Sequence, residues 1–321
     1  MKKLIVLIAL VISFVKAQEI EYFNDNFVSQ QTNVKLAVVI DKKKFFRFIP
    51  SIMNSLNAYF IHKGDKFHIK LFSITDDLNT ITNSYKDIIY ITTNKDDIYK
   101  LQNYDATFYI PTFHKDDFNQ TFENVYFGLI DFNGQIKKLA QYLDSDTANV
   151  VHTKGMIAQK LLNYEYALNI NLNVFNFPRI PYYKMRNRYV FFNTSASQTA
   201  QVLAQLTSRN IHTKLQFAPQ MDYDPLLITI TQPQDTQKII IANSILNLPV
   251  GLEDTNMLLS SDIRFNWLNY DISILANKIY NKQTDQDEWY MNDFKIYMFE
   301  HQTQYETKLY RIFKGAFIEV K

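Results

Sequence analysis

Tyr189-Val190-Phe191-Phe192-Asn193-Thr194-Ser195-Ala196-Ser197-Gln198-Thr199-Ala200-Gln201-Val202-Leu203-Ala204-Gln205-Leu206 is the stretch on which the fold turns. Its first four residues are bulky and apolar, β-branched or aromatic, with no alternation of polar positions, the pattern of a strand covered on both faces. Small polar residues follow at Asn193 to Ser195, where a chain turns and a helix is capped. Ala200, Leu203 and Ala204 then return at helical spacing, with Leu206 beside them. A strand that feeds a helix through so short a turn is half of a β-α-β unit, and such crossovers imply parallel pairing.

The same unit recurs outward in both directions. Val34 to Ile40 reads as a buried strand, and Asp41 as the cap of a helix carrying Phe45, Phe48, Ile49, Ile52, Met53, Leu56 and Phe60 on one stripe. Residues 68–73, 88–92 and 107–110 read as strands, with a short helix over 96–102. Val125 to Ile130 leads through Asn133 into a helix bearing Ile136, Leu139, Ala140 and Leu143. Residues 148–152 precede a helix near 156–168. Further on, 214–218 and 238–242 are strands, and Leu268, Ile272, Leu275, Ala276 and Ile279 mark a helix. Residues 281–293 read as a polar loop, and 294–299, 309–313 and 317–320 as closing strands. The spacing predicts an α/β protein with parallel sheets.

At the amino end, Lys2-Lys3, an apolar run from Leu4 to Val15 and Val15-Lys16-Ala17 have the layout of a cleavable secretion signal over residues 1–17. The apolar run is shorter than the roughly 20 residues that span a bilayer. Export to the periplasm as a soluble protein is the expectation, and an integral membrane protein is not. The chain has 321 residues, 47% hydrophobic, and no cysteine, so its stability rests on an apolar core without disulfides or thiolate chemistry. Three of its 34 basic residues lie in the leader; without them 31 face 32 acidic ones, a net charge of −1 that gives no case for nucleic acid.

Enzyme templates are missing. The six histidines are scattered without HExxH or an i, i+4 pair, and no GxSxG, GxxxxGK[ST] or GxGxxG occurs among only six glycines. Neither a metal nor a cofactor is expected, and the paired aspartates at 76–77, 96–97 and 116–117 sit where helices start, which the helix dipole explains. In open α/β sheets ligands lie beyond the carboxyl ends of the strands. That rule points to the loops at 73–77, 92–95, 111–114, 193–197, 219–224 and 243–244, and so to Asn193 among others. Tyr223 is one of several aromatic rings in such loops, able to line a cleft or simply to pack. Asp117-Phe118-Asn119-Gln120-Thr121 is an Asn-x-Thr triad with an acid two places earlier, which makes Asn119 a candidate glycan acceptor; an unmodified surface loop is the alternative.

Four segments together resemble the type I periplasmic binding protein superfamily, the fold of the branched-chain amino-acid binding proteins. The stretch at 189–206 is similar to a strand, turn and helix of the second lobe, and 125–143 to the unit near the first lobe crossing. Phe265 to Ala276, with Asn269-Tyr270-Asp271-Ile272, is similar to the family's "GYDA…LLA" helix, and the tail at 309–320 to its closing hairpin. The resemblance implies two Rossmann-like lobes joined by a three-crossing hinge: lobe one over residues 33–131 plus 246–281, lobe two over 132–245 plus 282–321. It also implies a ligand between them. By position Thr92, Thr93 and Thr112 match the hydroxyl loops of the amino-acid binders, and Asp222 the acid that holds an ammonium. Two non-enzymatic readings follow. One is a periplasmic solute-binding protein that captures a small polar ligand, amino-acid-like or a small carboxylate, for an inner-membrane transporter or sensor. The other is an interaction or activator module on the same fold, acting on a cell-envelope protein.

Overall fold

The computed structural model describes residues 34–320; the leader read over residues 1–17 lies outside them. Two sheets organise the chain. The first holds β1 (Val34–Ile40), β2 (Phe67–Ser73), β3 (Asp87–Ile91), β4 (Thr107–Ile110) and β5 (Val125–Phe127). The second holds β6 (Thr147–His152), β7 (Asn171–Asn176), β8 (Tyr189–Asn193), β9 (Gln216–Ala218) and β10 (Ile239–Asn243). Spatial orders are β2-β1-β3-β4-β5 and β7-β6-β8-β9-β10, parallel throughout, so the two lobes repeat one doubly wound plan.

Helices fill the crossovers: α1 (Lys42–Phe45), α2 (Ile49–Lys63), α3 (Leu78–Ser84) and α4 (Lys95–Leu101) in the first lobe, α5 (Phe132–Ala140), α6 (Met156–Tyr166), α7 (Ala196–Ser208) and α8 (Pro225–Ile230) in the second. The chain then returns to the first lobe with α9 (Val250–Leu258) and α10 (Trp267–Gln283), both packed on α2. Strand alternation sorts the core. Leu36, Val38 and Ile40 join the cluster of α2 and α10, whereas Ala37 and Val39 join Ile81 of α3 and Ile98 of α4. In the second lobe Phe191 lies with Leu161 of α6, and Val190 and Phe192 with Leu203 of α7. Gly64 ends α2 in the left-handed conformation, φ 73°, its N–H donating to the Ile61 carbonyl.

The helix expected from Asp41 is two helices. Asp41 Oδ1 accepts from the amides of Lys43 and Lys44 and starts α1, but Pro50 restarts the path as α2. The polar loop read over 281–293 begins later, because α10 runs to Gln283. The larger difference concerns the carboxyl end. β11 (Tyr290–Met291), β12 (Ile296–Phe299) and β13 (Gln302–Gln304) extend the first sheet, with β13 parallel to β5 through Gln302 and Phe127. The resemblance implies that residues 282–321 belong to lobe two, yet only β14 (Lys308–Phe313) and β15 (Ala316–Glu319) join the second sheet, beside β10. An alternating strand such as Ile296 to Phe299, buried at every other residue, fits the edge of either sheet. Periodicity gives its faces and leaves its neighbour open.

Candidate functional site

In each sheet the strand order reverses between the first and third strands of the lobe, β1 and β3 or β6 and β8, and crevices open at the carboxyl ends of such pairs. In the first lobe this point carries Asp41, Thr92 and Thr93; in the second, His152, Asn193 and Thr194. Lys160 of α6 crosses from the second lobe to the first, its Nζ 2.5 Å from Asp117 Oδ2, so these two ends face one another.

The first lobe brings the three expected threonines together. Thr112 Oγ1 donates to the Thr92 carbonyl at 2.7 Å, and both residues are fully buried. Thr92 Oγ1 donates to Asp97 Oδ2 and accepts from the Asn94 amide, at 3.1 and 3.0 Å. Thr93 Oγ1 accepts from Lys44 Nζ at 2.6 Å. The lysine run after β1 thus reaches the hydroxyl loop of β3, and all three hydroxyls have partners within the lobe.

The second lobe is different. Asn193 Nδ2 donates to Glu165 Oε2 at 2.8 Å, and both side chains are fully buried. Desolvation pushes the Glu165 carboxyl up to about 8, against the pull of the Asn193 amide. Among the described residues Glu165 Oε1, Asn193 Oδ1 and His152 Nδ1 have no hydrogen-bond partner. Burial lowers the pKa of His152 and favours its neutral ring. Such orphans in a buried cluster stand out, since nearly all buried polar groups are paired. Glu165 was absent from the expected site. The sequence does carry its signal: Ala158, Leu161, Leu162 and Glu165 follow i, i+3, i+4, i+7, so a carboxylate takes a position on the buried stripe of α6.

Asp222 and Tyr223 do not join this cluster. Asp222 is fully buried on the α7 side of the sheet, beside the Thr199 hydroxyl, and burial drives its pKa far up. Thr199 in turn meets Thr194, which points away from Asn193. Tyr223 stacks on Phe317 with ring centroids 4.3 Å apart and also meets Tyr310 and Phe265. Nearby, Gln135 of α5, Gln220, Asn243 and Ser244 satisfy one another in a closed buried network, anchored by Gln220 Nε2 to Asn243 Oδ1 at 2.8 Å and Gln135 Nε2 to Ser244 Oγ at 2.8 Å. Asn119 is exposed in the loop before β5 and lines an open groove of about 960 Å³ with Lys115, Phe122 and Glu300. Among the described residues no group of three or more His, Cys, Asp or Glu is placed to hold a metal ion, and no helix is long and apolar enough to cross a membrane.

Three segments join the lobes: 128–131, 244–249 and 305–307. Helix α10 touches each. Tyr270 Oη donates to the Asn247 carbonyl at 3.3 Å, and the Asp271 carboxyl faces the Ile130 amide. Tyr305 Oη lies 2.7 Å from Asp271 Oδ1 and 2.6 Å from the Gly128 carbonyl. A Cβ at Gly128 would sit 2.9 Å from Leu275 Cδ1, so any side chain there would have to displace the leucine.

No protein-family model and no curated protein matches the sequence. Solved structures do. The branched-chain amino acid substrate-binding protein LivJ of Streptococcus pneumoniae, in complex with isoleucine, superposes with a TM-score of 0.60 at 8% identity over 90% of this chain and all of its own. An extracellular ligand binding receptor from Desulfohalobium retbaense gives 0.66 at 9% identity, over 89% of this chain and 59% of its own. LpoA of Haemophilus influenzae gives 0.59 at 9% identity, covering 96% of this chain, which spans 62% of that protein. With two sheets of one doubly wound order and three crossings between them, the chain has the type I periplasmic binding protein fold.

Proposed function

We propose that this protein is a periplasmic solute-binding protein, without enzymatic activity, that captures a small polar ligand between its lobes and presents it to a membrane transporter or sensor. The observation that carries the reading is the cluster of His152, Glu165 and Asn193 at the switch point of the second lobe, with three buried polar atoms left unpaired among the described residues. Asn193 Oδ1 accepts, and Glu165 Oε1 accepts once its carboxyl ionises. The set suits a ligand that donates, which favours an amino-acid-like solute with its ammonium toward Glu165 over a plain carboxylate. An ammonium pairs with a carboxylate only after the latter ionises, so affinity for such a ligand rises with pH toward about 8.

The test is a thermal-shift screen of the chain from Gln18 on against amino acids, peptides, sugars and small carboxylates. A ligand at ~100 times its Kd stabilises the native state by about 2.7 kcal/mol. A rise confined to one chemical class and lost in Glu165→Gln and Asn193→Ala supports the proposal; a flat screen of the folded protein removes it. A second reading, an interaction module in the cell envelope, is favoured by one observation: the groups facing the cleft from the first lobe are engaged by the protein's own lysines, Thr93 by Lys44 and Asp117 by Lys160. A flat screen together with capture of one envelope protein would turn the assignment to that module.

A further inference from the structure

Lys160 leaves α6 of the second lobe and ends inside the first. Its ammonium has three protons to give and meets three groups: Asp117 Oδ2 at 2.5 Å, the Thr112 carbonyl at 3.4 Å and the face of Phe113, 4.6 Å from the ring centroid. Only 11% of the lysine side chain and 10% of the aspartate remain exposed. A carboxylate, a carbonyl and an aromatic face together complement a primary ammonium, since each presents negative charge or potential to the cation and none competes as a donor.

The first lobe holds every part of this cage by contacts that do not involve Lys160. Asp117 Oδ2 accepts from the His114 amide at 2.9 Å, and the Asp117 carbonyl accepts from Lys95 Nζ at 2.7 Å. Thr112 is pinned through its hydroxyl to Thr92 at 2.7 Å. Phe113 is 1% exposed and sits edge-on to Phe118, centroids 5.5 Å apart. A cage fixed in this way needs little further ordering when a cation enters it.

We propose that Asp117, the Thr112 carbonyl and the Phe113 ring form a binding site for a primary alkylammonium group, which Lys160 of the opposite lobe fills as a tethered guest. The tether gives the lysine a high effective concentration, so an external amine competes only when the lobes part. The lobes are thereby held together by the chain's own cation. This site is separate from the His152, Glu165 and Asn193 cluster, and it stands or falls without the solute reading.

Chemical rescue tests it. Lys160→Ala empties the cage of its guest, and n-butylammonium chloride, the four-carbon stem and head of lysine, replaces it. The melting temperature of Lys160→Ala is expected to rise saturably with n-butylammonium, by about 2–4 °C, and to stay flat with equal potassium chloride. The unsubstituted protein and the Lys160→Ala, Asp117→Asn double variant are expected to show no such rise. Should Lys160→Ala fail to fold, Lys160→Met keeps the stem and vacates only the head-group position, and is tested in the same way with ammonium chloride in place of n-butylammonium. Absence of a saturable rise in a folded Lys160 variant, or an equal rise in the double variant or the unsubstituted protein, overturns the proposal.

Discussion

Tyr305 has one hydroxyl proton and two oxygens within reach. The Gly128 carbonyl, at 2.6 Å, can only accept, so it takes that proton; the 2.7 Å approach of Asp271 Oδ1 then requires a proton on the aspartate. Burial pushes the Asp271 pKa well above the carboxylate range, in agreement with that count. Asp271→Asn, which keeps a donor toward Tyr305, is therefore expected to be nearly neutral, whereas Tyr305→Phe strands a buried carboxyl and a carbonyl and costs about 1–3 kcal/mol. Denaturant melts compare the two, and an Asn variant as unstable as the Phe variant would refute the protonated form. Glu165 makes a parallel case with a measurable pH window. Its folded pKa, about 8, lies above the ordinary 4.5, so the native state holds the proton more tightly. The stability this provides is complete below about 4.5 and is lost as pH climbs through about 8. At about 1.4 kcal/mol per pKa unit the loss reaches several kcal/mol. Glu165→Gln removes that slope, and unfolding free energies measured on both sides of the window should diverge between the two proteins as pH rises.

At the level of elements, the sequence was most legible where a strand is apolar throughout and its helix keeps one stripe. Residues 107–110 and the unit at 189–206 have the predicted type and nearly the predicted ends, as β4, β8 and α7. Polarity hides one element, β7, and the depth of burial of another, α10, whose helical stripe the sequence shows. β7 reads Asn171-Leu172-Asn173-Val174-Phe175-Asn176, an edge strand half exposed, with asparagines that mimic a loop. α10 is buried along nearly its whole length although it contains Asn269, Asp271, Ser273, Asn277 and Lys278: Ser273 and Asn277 bond within the helix, while Asn269, Asp271 and Lys278 reach loops and crossings that no local pattern foretells. Its packing against the first crossing yields another expectation. Gly128→Ala drives a methyl into Leu275 and should destabilise by about 1–3 kcal/mol; Leu275→Ala in the same chain should recover part of that loss, as a double-mutant cycle in thermal or denaturant unfolding would show.

For the molecule as a whole, the two-lobe plan was readable because β-α units recur on both sides of the crossing at residue 128, and the resemblance supplied their assembly. The candidate site was readable only in part. Loop position located Thr92, Thr93, Thr112 and Asn193 at the facing strand ends, but it also drew in Asp222 and Tyr223, whose side chains lie apart from the His152, Glu165 and Asn193 cluster. Which face a loop residue takes depends on packing between helices far apart in sequence, and one sequence does not display it. The same distance governs the order in which the chain can fold. β13 pairs with β5 through Gln302 and Phe127, and β14 joins β10 only after the third crossing. Neither lobe is a continuous length of polypeptide, so neither sheet acquires its outer strands until residues near 302 and 308 have been made. During synthesis the protein must wait, with two incomplete sheet edges, for its final stretch to arrive and close both halves almost at once.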